Sequence, residues 1–248
     1  MMVELLEMGR VMVAATVVPR VSRRQVRPDS VRARILGSAE RFWHHDELPG
    51  SSKTISNVFS ELVREGELFP VRRGVYWRGV KTPLGMSPPP DSAVVAELVG
   101  DMKGVGPAGL SAASALRLST QVPRFRQIAV PGRAPVGTST VKFLTRSARP
   151  GRVKADLTGL EVAFLEVLGD LSVSELSAQL SWDRLLEVLG SESVRPDKLA
   201  VAAVTEPGVT RARLRTMLTS CGHDRLSVRI PPADKRTAAR ALNFEDEK

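Results

Sequence analysis

The sequence predicts an α+β protein in two parts: an N-terminal winged helix-turn-helix, then a larger mixed α+β C-terminal domain. Three observations predict it. Apolar residues recur at helical spacing over 52–65 and run straight into two β-prone segments around an Arg-Arg-Gly tip at 68–78. The stretch KTPLGMSPPPD at 81–91 punctuates the chain, because consecutive prolines continue neither a helix nor a central strand. Beyond it, several segments of helical period alternate with two β-prone runs. A chain of 248 residues exceeds the usual single-domain size, so one small and one larger domain are expected. The expected division is a basic, partly disordered leader or arm at 1–28, the winged helix at 29–82, and the remainder at 83–248.

Composition narrows the function classes. Hydrophobic residues are 42% and aromatics only 4%, so the cores must be mostly aliphatic. Thirty-six Lys and Arg against 27 Asp and Glu leave a formal charge of +9, which favours phosphate backbones or acidic protein surfaces as partners. Cys221 is the single cysteine, which excludes an internal disulfide and a multi-cysteine zinc site and fits a reducing cytoplasm. The apolar stretch 11–18 is too short to span a bilayer, and Glu4 and Glu7 precede it, so no signal, anchor or membrane association is expected. Met1, Met2, Met8 and Met12 crowd the start, as in a disordered leader or a segment that depends on the start codon.

In chain order, Arg20, Arg23, Arg24, Arg27, Arg32 and Arg34 form a basic arm with Asp29 as its one acid. Asp29 or Ser30 can cap a first helix whose face is Val31, Ile35, Leu36, Ala39 and Phe42. FWHHDELP at 42–49 predicts a brief second helix, ended by Pro49-Gly50 before the capping pair Ser51-Ser52. In the third helix Ile55, Val58, Phe59, Leu62 and Val63 make the packing side. Ser52, Lys53, Thr54, Ser56 and Asn57 would face base edges, because short polar side chains near a helix N-terminus let it sit deep in the major groove and Asn can pair with adenine. Gly66 supplies the stop. The hairpin that follows is the expected wing, with Arg72 and Arg73, helped by Arg64, holding phosphates.

These residues resemble the AbiEi-like antitoxins of type IV toxin–antitoxin systems, including the related winged-helix proteins of the DUF6088 type. The resemblance spans about residues 42–170 and is carried by ISNVFSELVREGEL (55–68), RRGVYW (72–77) and, most specifically, GPAGLSAASALRLSTQVP (106–123). It implies a transcriptional regulator that represses its own promoter and neutralises a nucleotidyltransferase-like toxin. It also implies that the C-terminal domain carries antitoxicity and dimer contacts. The alternative is a stand-alone winged-helix transcription factor, whose larger domain senses a ligand or only dimerises. A third class is an interaction protein that turns the same domain onto protein or RNA.

Past the prolines, helices are expected from Asp91 or Ser92 to Met102, then at 111–118, 160–168, 173–180, 182–189, 197–204 and 209–221. RQIAV (126–130) and TVKFLT (140–145) predict a small antiparallel sheet. Residues 117–154 hold nine Lys and Arg and no acid, whereas 161–192 holds seven acids and one base. Arg124, Arg126, Arg133, Lys142 and Arg146 would form a second basic surface, for flanking DNA or for an acidic partner. Chemistry is sparse. Gly104–Gly109 fits the letters GxGxxG, but no strand precedes it. His44-His45 lacks metal-ligand spacing and reads as a surface or core pair. Cys221 and His223 lack an orienting acid. With no Walker motif and no carboxylate cluster, no catalytic residue, metal or cofactor is assigned, and a non-enzymatic homodimer on duplex DNA is expected.

Overall fold

The computed structural model describes residues 28–244. Arg20, Arg23, Arg24, Arg27 and the leader around them lie outside the described residues. The chain opens with α1 (Pro28–Leu36), β1 (Arg41–His44), a 3-10 turn (His45–Glu47), α2 (Ser52–Arg64), β2 (Phe69–Arg72) and β3 (Val75–Arg78). The three strands form one antiparallel sheet in the order β1-β3-β2.

The segment 42–49 is therefore not one helix, since it begins in β1 and only His45–Glu47 makes a 3-10 turn, and Phe42 does not belong to the face of the first helix. Successive side chains of a strand point to opposite sides, and here both sides are covered. Trp43 joins Val31, Ile35, Leu48, Ile55 and Phe59, whereas Phe42 joins Val71, Trp77 and Met86, its ring 4.7 Å from that of Trp77. In a helix neighbouring side chains diverge by only about 100°, too little to reach two clusters on opposite sides.

Ser51 caps α2, its hydroxyl accepting from the Thr54 amide at 3.2 Å. Ile55, Val58, Phe59 and Leu62 are buried, and Phe59 stacks on Tyr76 at 4.2 Å. Each such side chain contributes roughly 1.5–3 kcal/mol on burial. Gly66, at φ +70°, closes the helix in a left-handed turn in which the Glu67 amide reaches back to the Leu62 carbonyl at 2.8 Å.

Next come β4 (Lys81–Thr82) and β5 (Gly85–Met86), a small hairpin, followed by the prolines, α3 (Asp91–Val99), β6 (Gly106–Pro107), α4 (Gly109–Ala115), β7 (Arg126–Val130) and β8 (Val141–Thr145). The second three-stranded sheet has the order β6-β7-β8. β6 and β7 are antiparallel, but β7 and β8 are parallel, from Arg126↔Val141 to Val130↔Thr145. This overturns the expected antiparallel pair. The residues between the strands lead back along β7, a return of about 16 Å that ten extended residues, reaching about 33 Å, cover easily. Thr138 then meets Val141 through its amide and hydroxyl, and the Arg126 amide binds the Thr140 carbonyl, so β8 starts level with the start of β7.

Among the described residues, one of the three buried clusters runs across the prolines. Phe42, Val71, Val75, Trp77 and Met86 share one buried cluster with Val94, Ile128, Val130, Val141 and Phe143 from beyond them. His44 adds a polar tie, its Nε2 lying 2.5 Å from Glu97 Oε1 on α3.

The rest is helical: α5 (Gly151–Lys154), α6 (Gly159–Gly169), a 3-10 turn (Leu171–Val173), α7 (Ala178–Leu189), α8 (Pro196–Ala203), α9 (Gly208–Ser220), α10 (Asp224–Ser227) and α11 (Lys235–Leu242). α6 is buried on every side from Glu161 to Leu168 and carries the largest core, with Leu185, Leu199, Leu214 and Leu218 packed in the same cluster. The helix expected at 173–180 does not form. The Glu175 amide and the Ser174 hydroxyl both bind the Leu118 carbonyl, and Ser177 instead caps α7. The fold is thus mixed α+β. Among the described residues no helix is long and apolar enough to cross a membrane.

Candidate nucleic-acid interface

The exposed side of α2 is polar, but its side chains are not equally free. At 3.6 residues per turn, Lys53, Asn57, Ser60 and Arg64 fall within about 60° of one another. All four are exposed. Among the described residues Lys53, Asn57 and Arg64 have no side-chain ion pair or hydrogen bond, while the Ser60 hydroxyl turns back to the Ser56 carbonyl at 2.8 Å.

Of the other residues expected to face bases, the Thr54 and Ser56 side chains are committed locally, while Ser52 is exposed and offers only its carbonyl to a neighbour. Thr54 shares a 2.8 Å hydrogen bond with the Ser51 hydroxyl and belongs to the cap. His45 Nε2 lies 3.0 Å from the Ser56 hydroxyl and 2.9 Å from the Ser52 carbonyl, so the 3-10 turn is pinned to the first turn of α2. Sequence reading assigned His45 no such role. Glu61 is also exposed, one turn beyond Asn57, and it places an acid at the margin of the stripe. Its signal was the i, i+4 spacing from Asn57.

The hairpin β2–β3 turns at Arg73-Gly74, where Gly74 has φ +80° with open space around it. Arg73 is exposed, and Arg72 is half-buried with a buried Nε that has no hydrogen-bond partner among the described residues. Neighbouring cations are consumed inside the fold. Arg32 binds Glu65 through two nitrogens, and this hydrogen bond holds the Glu65 carboxyl below the ordinary range. Arg41 pairs with Glu47 and lies 4.2 Å over the Trp43 ring. Arg78 caps the end of α1 by donating to the Leu36 carbonyl at 2.7 Å, and it pairs with Glu67, whose carboxyl is lowered first by its bond from Lys81.

The second basic block does not assemble as one face. Arg124, Arg126, Arg133 and Lys142 are exposed, and Arg124 lies 5.1 Å over the Phe125 ring. Arg126 and Lys142 hold successive register positions, opposite Val141 and Gln127, so pleating sends them to opposite sides. Arg146 turns inward, donating to both Glu166 oxygens at 2.9 and 2.8 Å. Arg149 also binds Glu166, at 2.7 Å. The buried Arg152 spans Glu166 at 2.7 Å and Glu206 at 2.6 and 2.9 Å. Burial alone would raise the Glu166 carboxyl, but the Arg146 hydrogen bond and the three guanidinium charges hold it below the ordinary range. For Arg149 burial wins, and its guanidinium sits below its usual value. Part of the base-rich block is thus spent in the interior, on Glu166 of the acid-rich block and on Glu206 beyond it.

Among the described residues no three or more His, Cys, Asp or Glu side chains are grouped to hold a metal. No protein-family model matches the chain, and neither does any curated protein. A crystal structure of the RV2827C protein from Mycobacterium tuberculosis aligns with 88% of this chain and 83% of that one, at 18% identity and a TM-score of 0.48. At that level the similarity carries no argument about fold or role.

Proposed function

We propose that the N-terminal part is a winged helix-turn-helix DNA-binding unit, with α2 in the major groove and the β2–β3 hairpin as its wing. The supporting observation is selective freedom: among the described residues Lys53, Asn57, Arg64 and Arg73 stay exposed and unpaired and the half-buried Arg72 has no ion pair, while Arg32, Arg41 and Arg78 around them are consumed by carboxylates and carbonyls. Unpaired cations flanking a short polar helix face suit phosphates on either side of base edges. The function is then promoter occlusion by a homodimer, since two-fold binding to an inverted repeat is the usual route to sufficient affinity.

The resemblance over residues 42–170 extends this reading to an autorepressor and antitoxin that neutralises a nucleotidyltransferase-like toxin through its C-terminal part, a non-enzymatic role inside the cell. The second reading is a stand-alone transcription factor. The test is binding of the purified chain to the duplex upstream of its own gene at two salt concentrations, with unrelated duplex as competitor. Specific, salt-sensitive binding is expected, and co-expression with the neighbouring gene then separates the two readings. Equal competition by random duplex would overturn the regulator.

A further inference from the structure

We propose that the cleft between α5 and α8 is a binding site for a small amphipathic carboxylate, a molecule with an apolar body and one anionic head. The cleft has a volume of about 440 Å³ and is lined by Pro150, Gly151 and Lys154 on one side, Ala200, Val201, Val204 and Thr205 on the other, and Arg229. That volume lies within the range of roughly 300–1,000 Å³ usual for small-molecule sites. Its walls are apolar where side chains normally turn to solvent: Val201 and Val204 are 39% and 49% exposed.

The polar groups of the cleft are of one sign. Lys154 and Arg229 are exposed, and neither side chain has an ion pair or hydrogen bond among the described residues. No acid is among the lining residues. Behind the wall, Arg146, Arg149 and Arg152 face only Glu166 and Glu206, which leaves a further positive charge uncompensated. An apolar groove with two unpaired cations at its rim is complementary to an apolar chain ending in a carboxylate, and it disfavours a neutral or cationic one.

The walls are also held in place before any ligand arrives. A Cβ at Gly151 would lie 2.6 Å from the Ala202 carbonyl oxygen, so only glycine allows α5 to approach α8 this closely. The Gly151 amide donates to the Thr205 hydroxyl at 3.0 Å, and Arg152 clamps Glu206 with two hydrogen bonds. A preformed site loses little affinity to ordering. This inference is independent of DNA binding.

The test is isothermal titration calorimetry of the full chain with decanoate, and with decylamine as the same chain bearing the opposite charge. Decanoate is expected to bind one per chain and decylamine about tenfold more weakly or worse. Val201→Trp, which fills the cleft from an exposed position, should abolish decanoate binding. Lys154→Glu with Arg229→Glu should invert the preference toward decylamine, and unchanged thermal melts would show each variant folded. Equal affinity for the two ligands, no measurable decanoate binding, or decanoate binding that survives Val201→Trp would each overturn the proposal.

Discussion

If the hairpin is the wing, removing its two tip cations should change the salt dependence of DNA binding by a calculable amount. Neutralising one phosphate releases counterions with a slope of about −0.9 in log K against log salt. Arg73 is exposed and Arg72 half-buried beside it at the hairpin turn, and neither has an ion pair among the described residues, so each can hold one phosphate. Arg72→Ala combined with Arg73→Ala should make the slope shallower by about 1.8. At about 0.15 M salt the same two contacts account for about 1.5 decades of affinity, a loss of about 30-fold or about 2 kcal/mol. Fluorescence anisotropy of a labelled upstream duplex, titrated across salt concentrations, reads both quantities. Arg146→Ala is the internal control, because its guanidinium is spent on Glu166. A slope left unchanged by the double substitution, or moved equally by Arg146→Ala, would refute the reasoning.

Other consequences can be measured alongside. Asn57→Ala should lower affinity for the cognate duplex by about 1–3 kcal/mol while leaving the salt slope and the affinity for random duplex intact. Gly79→Ala would place a Cβ 2.2 Å from the Trp77 indole nitrogen and should cost about 1–3 kcal/mol in urea unfolding followed by tryptophan fluorescence. Arg152→Met strips the buried Glu206 of its two-point partner and should cost about 3–5 kcal/mol, far more than Arg146→Ala, which leaves Glu166 two arginines; comparable losses would contradict the network. Burial raises the Glu161 and Glu166 carboxyls, but hydrogen bonds from Arg195 and Arg146 outweigh it, so both sit below the ordinary value of 4.5 in the folded state. Their contribution to stability is complete above that pH and is lost as pH falls through the lowered folded values. The melting temperature should hold down to about pH 5 and drop below it, and Arg195→Leu should flatten part of that drop.

Local pattern was enough for α2 and the hairpin after it. The Ile55, Val58, Phe59 and Leu62 period, the Ser51 cap and Gly66 are all local signals, and the helix expected at 52–65 is found at Ser52–Arg64. The apolar runs behind α6, α8 and α9 were legible for the same reason. Pattern failed where a distant segment decided. Phe42 and Trp43 lie in a strand because β3 and two different clusters claim them from opposite sides, which no window of the chain contains. The direction of β8 depended on how residues 131–140 close back onto it. Charge was the least legible quantity. The sequence alone determined that the chain is basic, that its cations come in blocks, and that α2 has one apolar and one polar side. Only the tertiary structure decided which cations remain available, because an arginine is neutralised by whichever carboxylate folding brings within about 3 Å: Glu65 for Arg32, Glu166 and Glu206 for Arg152, and, among the described residues, none for Lys53, Arg73, Lys154 or Arg229.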